Sequence, residues 1–190
     1  MRAAPRWLKY GLAALFGVLL AWQGWYLGWV LWWKWVNPVN TSFQSQRLAE
    51  ARLKNPNAEL KRQWLPYAKI STHLKRAVIA AEDDKFVDHE GFDWEGIQKA
   101  MEKNQKQGKV VAGGSTISQQ LAKNLLLSPT KSFFRKGEEA IITVWIELLW
   151  DKQRILEVYL NVVEWGDGIF GAEAAARRYF GISASQLGAE

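Results

Sequence analysis

The chain has no cysteine, which excludes disulfide scaffolds, cysteine-ligated zinc, iron–sulfur clusters and thiol nucleophiles. Histidine is almost as scarce: His73 and His89 are the only two, too few for a histidine-rich metal site. Acidic residues are missing from the first 36 positions, where Arg2, Arg6, Lys9 and Lys34 supply four of the six net positive charges. The remainder carries 21 basic against 19 acidic residues, a near balance that does not point to nucleic acid as a partner. No internal repeat is present. With 190 residues, 48% hydrophobic and 23% charged, the chain is long enough for one ordinary domain and an appendage, and is neither disordered nor polytopic.

What is abundant is tryptophan, twelve in all, seven of them within the first 36 residues. From Gly11 to Val36 the only charge is Lys34, and Leu12 to Val30 is an uncharged apolar run. A bilayer core about 30 Å thick needs roughly 20 such residues in a helix. The spacing predicts a cytoplasmic tail over 1–10, a transmembrane helix over 11–36 and a juxtamembrane segment over 37–65. Arg2, Arg6 and Lys9 place the N-terminus inside by the positive-inside rule, and Trp29, Trp32, Trp33 and Trp35 suit the far interface. A cleaved signal peptide would have a shorter apolar stretch ending in small residues, not in tryptophan. Asn37-Pro38 is expected to end the helix.

The rest reads as helical, so the fold class is mainly α. A short helix is expected around Ser45–Leu53. His73–Glu82 places Leu74, Ala77, Val78 and Ala81 on one face, with Ser71 or Thr72 as cap. Asp93–Lys103 repeats the pattern, and Gln105–Gly114 reads as a loop. Thr116 to Gln119 forms a capping box that opens a helix through Leu127, stopped by Ser128-Pro129-Thr130. Glu138–Trp150 is apolar almost all round and is expected to be the central buried helix. Gln153–Leu160 and Ala172–Tyr179 supply two more. The only segment that could pair briefly as a strand is Lys109–Ala112.

Four blocks could carry chemistry. In 82–91 seven of ten residues are ionisable, and Glu82 ends a helix rooted in the core. Asp83 and Asp84 repel its charge and favour proton uptake, as a general base requires, although a helix end fraying into an acidic turn anchored by Phe86 gives the same pattern. In 113–124, glycines lead into a helix N-terminus where an anion is favoured, with Gln119, Gln120 and Lys123 on the next turns. A plain capped helix is the bland alternative, and the Gly-Lys-Ser/Thr of a Walker motif is missing. In 131–139, Lys131, Arg135 and Lys136 precede Glu139, which opens a very apolar helix and so needs a cationic or metal partner. The block 152–161 reads as mainly structural, with Glu157 and Asn161 as supporting groups.

In order, Glu-Asp-x-x-Phe-x-x-His-x-Gly (82–91), Gly-Gly-Ser-Thr-Ile-x-Gln-Gln-Leu-x-Lys-Asn (113–124), Arg-Lys-x-x-Glu (135–139) and Lys-x-x-Ile-Leu-Glu-x-Tyr-Leu-Asn (152–161) resemble family 51 peptidoglycan glycosyltransferases. That resemblance covers about 66–190. Ser118 stands where the family commonly has Thr, and Lys131 where an Arg is frequent, which keeps the charge but loses the bidentate fork. The last family motif is absent, so the expectation is a monofunctional, C-terminally incomplete glycosyltransferase domain.

The resemblance implies a lysozyme-like α fold with a small membrane-proximal jaw behind one transmembrane helix in a bacterial cytoplasmic membrane, the domain facing the periplasm. It implies polymerisation of lipid II with inversion and release of undecaprenyl diphosphate. Glu82 and Glu139 would be catalytic. Ser115, Thr116, Gln119, Gln120, Lys123, Lys131, Arg135 and Lys136 would bind substrate and diphosphate, supported by Asp83, Phe86, His89 and Asn161. Glu139 is the one candidate ligand for a divalent cation (Mg or Mn), and no organic cofactor is expected. The implied partners are lipid II, lipid-linked glycan, membrane lipids and cell-wall synthesis or division proteins. A lytic transglycosylase would use two carboxylates without a diphosphate site. A non-catalytic scaffold of the wall-synthesis machinery is the reading from another class.

Overall fold

A computed structural model describes residues 5–130 and 132–189. Arg2 and Lys131 lie outside the described residues, as does Glu190.

The longest helix, α1 (Arg6–Trp33), spans 28 residues, and its most apolar 18-residue window has a mean hydropathy of 1.4, long and apolar enough to cross a membrane. It begins and ends earlier than 11–36, stopping at Trp33 rather than running on to Pro38. Its first half is bare on all sides. Its second half is not: Tyr26, Val30 and Trp33 are buried against the domain.

The helices α2 (Ser42–Lys54) and α3 (Thr72–Glu82) open with side-chain caps, Thr41 in a capping box with Gln44 and Ser71 accepting from the His73 N–H. The next, α4 (Trp94–Gln107), runs further than its sequence pattern suggested and ends at Gly108, whose φ of 63° is left-handed. Then come α5 (Ile117–Leu126), α6 (Phe133–Leu149), α7 (Lys152–Val162) and α8 (Ala172–Phe180). The central helix is α5, not α6. It lies between α6, α7 and α2, and contributes Ile117, Leu121 and Leu125 to a core completed by Ile142, Ile146, Ile155, Val158 and Leu160. The apolar surplus of α6 points outward through Ile141, Val144 and Leu148.

Strands are few and short. A sheet of order β1-β3-β2 joins β1 (Lys61–Arg62), β2 (Glu164–Gly166) and β3 (Ile169–Phe170), with β1 parallel and β2 antiparallel to β3. Lys109–Ala112 does not pair as a strand. Its backbone is tied to α4 instead, the Asn104 Oδ1 accepting the N–H groups of Val111 and Ala112 at 2.7 and 2.8 Å.

Candidate active site

The C-terminus of α3 and the N-terminus of α5 meet at Asp83. One oxygen of its buried carboxylate accepts the Ile117 N–H at 2.9 Å and the other lies 2.9 Å from the His89 Nε2. The His89 Nδ1 accepts the Gly91 N–H, so the ring proton sits on Nε2 and is donated to Asp83. Phe86 is fully buried edge-on to the His89 ring, and the Lys152 ammonium lies 4.7 Å above the Phe86 ring. Lys152 also donates to the His89 carbonyl at 2.6 Å and to Glu147, which in turn accepts from the Ser118 hydroxyl. Gly91 sits at φ 92°, where a Cβ would come within 2.9 Å of both Glu147 and Thr143; only glycine fits. The supporting residues Asp83, Phe86 and His89 thus form a fastening that fixes the end of α3.

This fastening occupies part of the α5 N-terminus, where the sequence suggested an anion site. The Thr116 hydroxyl and the Gln119 amide oxygen are bonded within the fold. The Thr116 hydroxyl accepts the Gln119 N–H and donates to the Gly91 carbonyl at 2.7 Å, while the Gln119 Oε1 accepts the Thr116 N–H. Both side chains are buried, and the anion at the helix terminus is the protein's own Asp83.

The fastening leaves Glu82 exposed at the rim. Lys85, its nearest cation in sequence, turns away to pair with Glu95 on α4. What reaches Glu82 is the neutral amide of Gln120, whose Nε2 donates to Oε2 at 2.9 Å. Two cavities open beside it. One, of about 170 Å³, lies between Ala80–Asp84 and 113–116; the other, of about 290 Å³, is lined by α3, Tyr159 and Trp165.

Across from it, at the start of α6, Glu139 is buried and gripped by two cations. Arg135 donates to Oε2 at 2.6 Å and Lys136 pairs with Oε1; Lys136 also reaches the Ser115 hydroxyl at 3.3 Å. The Nε of Arg135 is buried without a partner among the described residues. Between the two carboxylates stands Lys123 of α5, half-buried, with no ion pair of its own among the described residues. Burial pushes its ammonium below the usual lysine range; Glu139 opposes this, Arg135 and Lys136 add to it, and Glu82 opposes it in turn.

The structure therefore links Glu82, Gln120, Ser115, Lys136, Glu139 and Arg135 through a chain of hydrogen bonds and ion pairs, with Lys123 near both carboxylates. Asn161 is not among them: its amide clamps the backbone of Leu65 from both sides, at 2.7 and 2.9 Å. Two contacts carry no signature in the sequence pattern. Tyr159 reads as core spacing but donates its hydroxyl to Gln120 at 3.0 Å, a partner that a buried phenol requires. Glu138 is buried beneath α1, where its Oε1 accepts hydrogen bonds from the Trp22 Nε1 at 2.8 Å and the Tyr26 hydroxyl at 3.1 Å.

The sequence pattern of the transglycosylase family matches residues 48–190. A biosynthetic peptidoglycan transglycosylase of Dechloromonas aromatica is 70% identical over the whole chain and 82% of its own length. Those of an Azoarcus species and of Aromatoleum aromaticum are 64% and 62% identical, each covering 99% of this chain and 81% and 82% of the relative. The chain belongs to the transglycosylase family.

Proposed function

We propose that this transglycosylase polymerises peptidoglycan, transferring a lipid-diphosphate-linked glycan to the 4-hydroxyl of a second lipid II with inversion at the anomeric carbon. The observation that carries this reading is the contrast between two neighbouring carboxylates, one exposed and one buried, with a lysine near both that has no ion pair among the described residues. Glu82 is exposed and touched only by a neutral amide, with its Oε1 accepting no hydrogen bond among the described residues. That oxygen takes the hydroxyl proton as the acceptor oxygen bonds to the anomeric carbon. The bond from that carbon to the diphosphate breaks on the opposite face, and its electron pair leaves on the undecaprenyl diphosphate. Lys123, Arg135 and Lys136 meet the charge that develops there, with Lys131, outside the described residues, assigned to the same task from the sequence. A sugar alkoxide needs a proton to leave, whereas a diphosphate needs its charge met, and the cation cluster suits the diphosphate.

The donor set does not suit a divalent cation held by the protein. Both Glu139 oxygens are taken by Arg135 and Lys136, and among the described residues no three acidic or histidine side chains converge. Glu139 is better read as the carboxylate that spaces and orients the two cations.

The apolar α1, with Arg6 and Lys9 in its first turns and Arg2 before it in the sequence, supports a single-pass anchor with its N-terminus in the cytoplasm and the domain on the periplasmic side, where lipid-linked precursors are displayed. Incubation of the purified protein with labelled lipid II tests the activity. A ladder of glycan polymer with released undecaprenyl diphosphate is the expected product. Cleavage of preformed glycan without polymer would instead mark a lytic enzyme, and no reaction a scaffold.

A further inference from the structure

The geometry points to Tyr159 as a positioning residue for the base: its hydroxyl fixes the orientation of the Gln120 amide, and through it the hydrogen bond that Glu82 receives. The inference rests on the reading of Glu82 as the base and deepens it.

Tyr159 sits on α7 with its ring buried among core residues; it is 3% exposed. Its hydroxyl has one polar partner among the described residues, the Gln120 Oε1 at 3.0 Å, and the Nε2 of the same amide lies 2.9 Å from the Glu82 Oε2 and 3.4 Å from the Ser115 carbonyl. An ionised carboxylate and a carbonyl only accept, so both need the NH₂ end of the amide. The amide oxygen is thereby turned to Tyr159, which must donate. Burial, reinforced by the nearby Glu82 and Asp83, pushes the phenol above its ordinary range, so it holds its proton throughout the working range of the enzyme. A rotated amide would set its carbonyl against the Glu82 carboxylate. The Tyr159 hydroxyl penalises that rotamer, since it would face the NH₂ end and leave its own proton unshared.

The consequence is an asymmetric base. Oε2 of Glu82 is held by the amide, and Oε1, with no hydrogen bond among the described residues, is the oxygen left to receive the acceptor proton. The other charged or titratable groups facing Glu82 come from several elements: Asp83 and Asp84 at the end of α3, Asp93 before α4, Lys123 of α5 and Glu164 of β2. None of these is displaced by removing one phenolic oxygen. A change in the proton uptake of Glu82 on losing that oxygen therefore reports on the amide.

The test is Tyr159→Phe, which keeps the ring in the core, measured as the pH dependence of lipid II polymerisation beside Gln120→Leu, Glu82→Gln and the double variant. With its donor lost or disordered, the charged form of Glu82 is disfavoured, so the acid limb of the kcat profile should move to higher pH, by about 0.5–1 pH unit. KM for lipid II should stay unchanged. Gln120→Leu should move the limb the same way, and adding Tyr159→Phe to it should move it no further. An unmoved or lowered limb in folded Tyr159→Phe, or additive shifts in the double variant, overturns the inference. A Glu82→Gln enzyme that polymerises normally overturns the base itself. An inactive Glu82→Gln enzyme with an unmoved Tyr159→Phe limb leaves the base standing and removes Tyr159 from its support.

Discussion

The two sides of the cleft hold their carboxylates in opposite ways. At the end of α3, Asp83 takes the buried, fully bonded place against the α5 N-terminus, and Glu82, one residue earlier, is left at the rim with a single neutral donor. At the start of α6 the order of burial is reversed: Glu139 itself goes inside, between Arg135 and Lys136, and the cations form the wall. Burial between two cations makes Glu139 the spacer that holds Arg135 and Lys136 in place. Exposure beside a neutral amide leaves Glu82 free to exchange a proton. The difference teaches that chemistry at this site follows from which neighbour absorbs the burial, not from the count of acidic residues.

The sharpest way to break the comparison is to exchange the two roles. Glu82→Gln keeps shape and hydrogen bonding but cannot take a proton, so polymerisation of lipid II should fall by about 10²–10⁴-fold while the thermal unfolding midpoint is kept. Glu139→Gln should show the converse balance. It strands two cations, one of them well buried, and should lower stability by about 3 kcal/mol, toward the weaker end of the cost of breaking a buried pair because Lys136 is half exposed. Near-normal polymerisation by Glu82→Gln with an inactive but stable Glu139→Gln would reverse the assignment.

Lys123 sharpens the comparison because it stands between the two sides. Lys123→Ala should weaken binding of a phosphoglycolipid inhibitor by about tenfold to a hundredfold, the worth of one charge-assisted contact. The sign of its pH dependence is set by burial. Because the ammonium is pushed down, it loses its proton earlier than an ordinary lysine at about 10.4. Affinity should therefore begin to fall on the alkaline side below that value, and Lys123→Arg should move the fall upward. Titration calorimetry across the alkaline range reads both effects.

The smallest expected effect lies one residue from Glu139. Trp22→Phe or Tyr26→Phe removes one donor to the buried Glu138 and should cost about 0.5–1.5 kcal/mol each in detergent-solubilised protein. In a Glu138→Leu background neither substitution should cost more than the change in packing. Equal costs in both backgrounds would show that α1 is held by apolar contact alone.

The local parts of this arrangement were legible in the sequence. Ser71, the capping box at Thr116 and Gln119, and Glu82 at a helix end all follow from short-range rules that need only neighbouring residues. The pairing of Glu139 with cations three and four residues before it is equally local. What could not be read depends on partners far along the chain. The glycines before α5 carry no sign that Asp83, 34 residues away, accepts the Ile117 N–H at that terminus. The Tyr159 contact spans 39 residues and looked like core spacing. Strands of two or three residues carry too little alternation to be recognised, which is why Lys109–Ala112 attracted the strand pattern and Ile169–Phe170 did not. The periodicity of α6 revealed an excess of apolar residues without revealing what would cover them.

The docking of α1 has a consequence for the thickness of membrane this protein can occupy. With α1 as the anchor, its bare stretch from Arg6 to Ala21 is 16 residues, or about 24 Å at 1.5 Å per residue. A hydrocarbon layer about 30 Å thick is deeper than that, so the outer part of the layer must lie alongside Trp22, Tyr26 and the helix packed on them. On the proposed anchoring, the exposed Ile141, Val144 and Leu148 of α6 are the apolar domain surface available to meet that mismatch. If the proposed anchoring and lipid-diphosphate substrate hold, α6 carries Arg135, Lys136 and Glu139 at a depth fixed by α1, and polymerisation should depend on bilayer thickness.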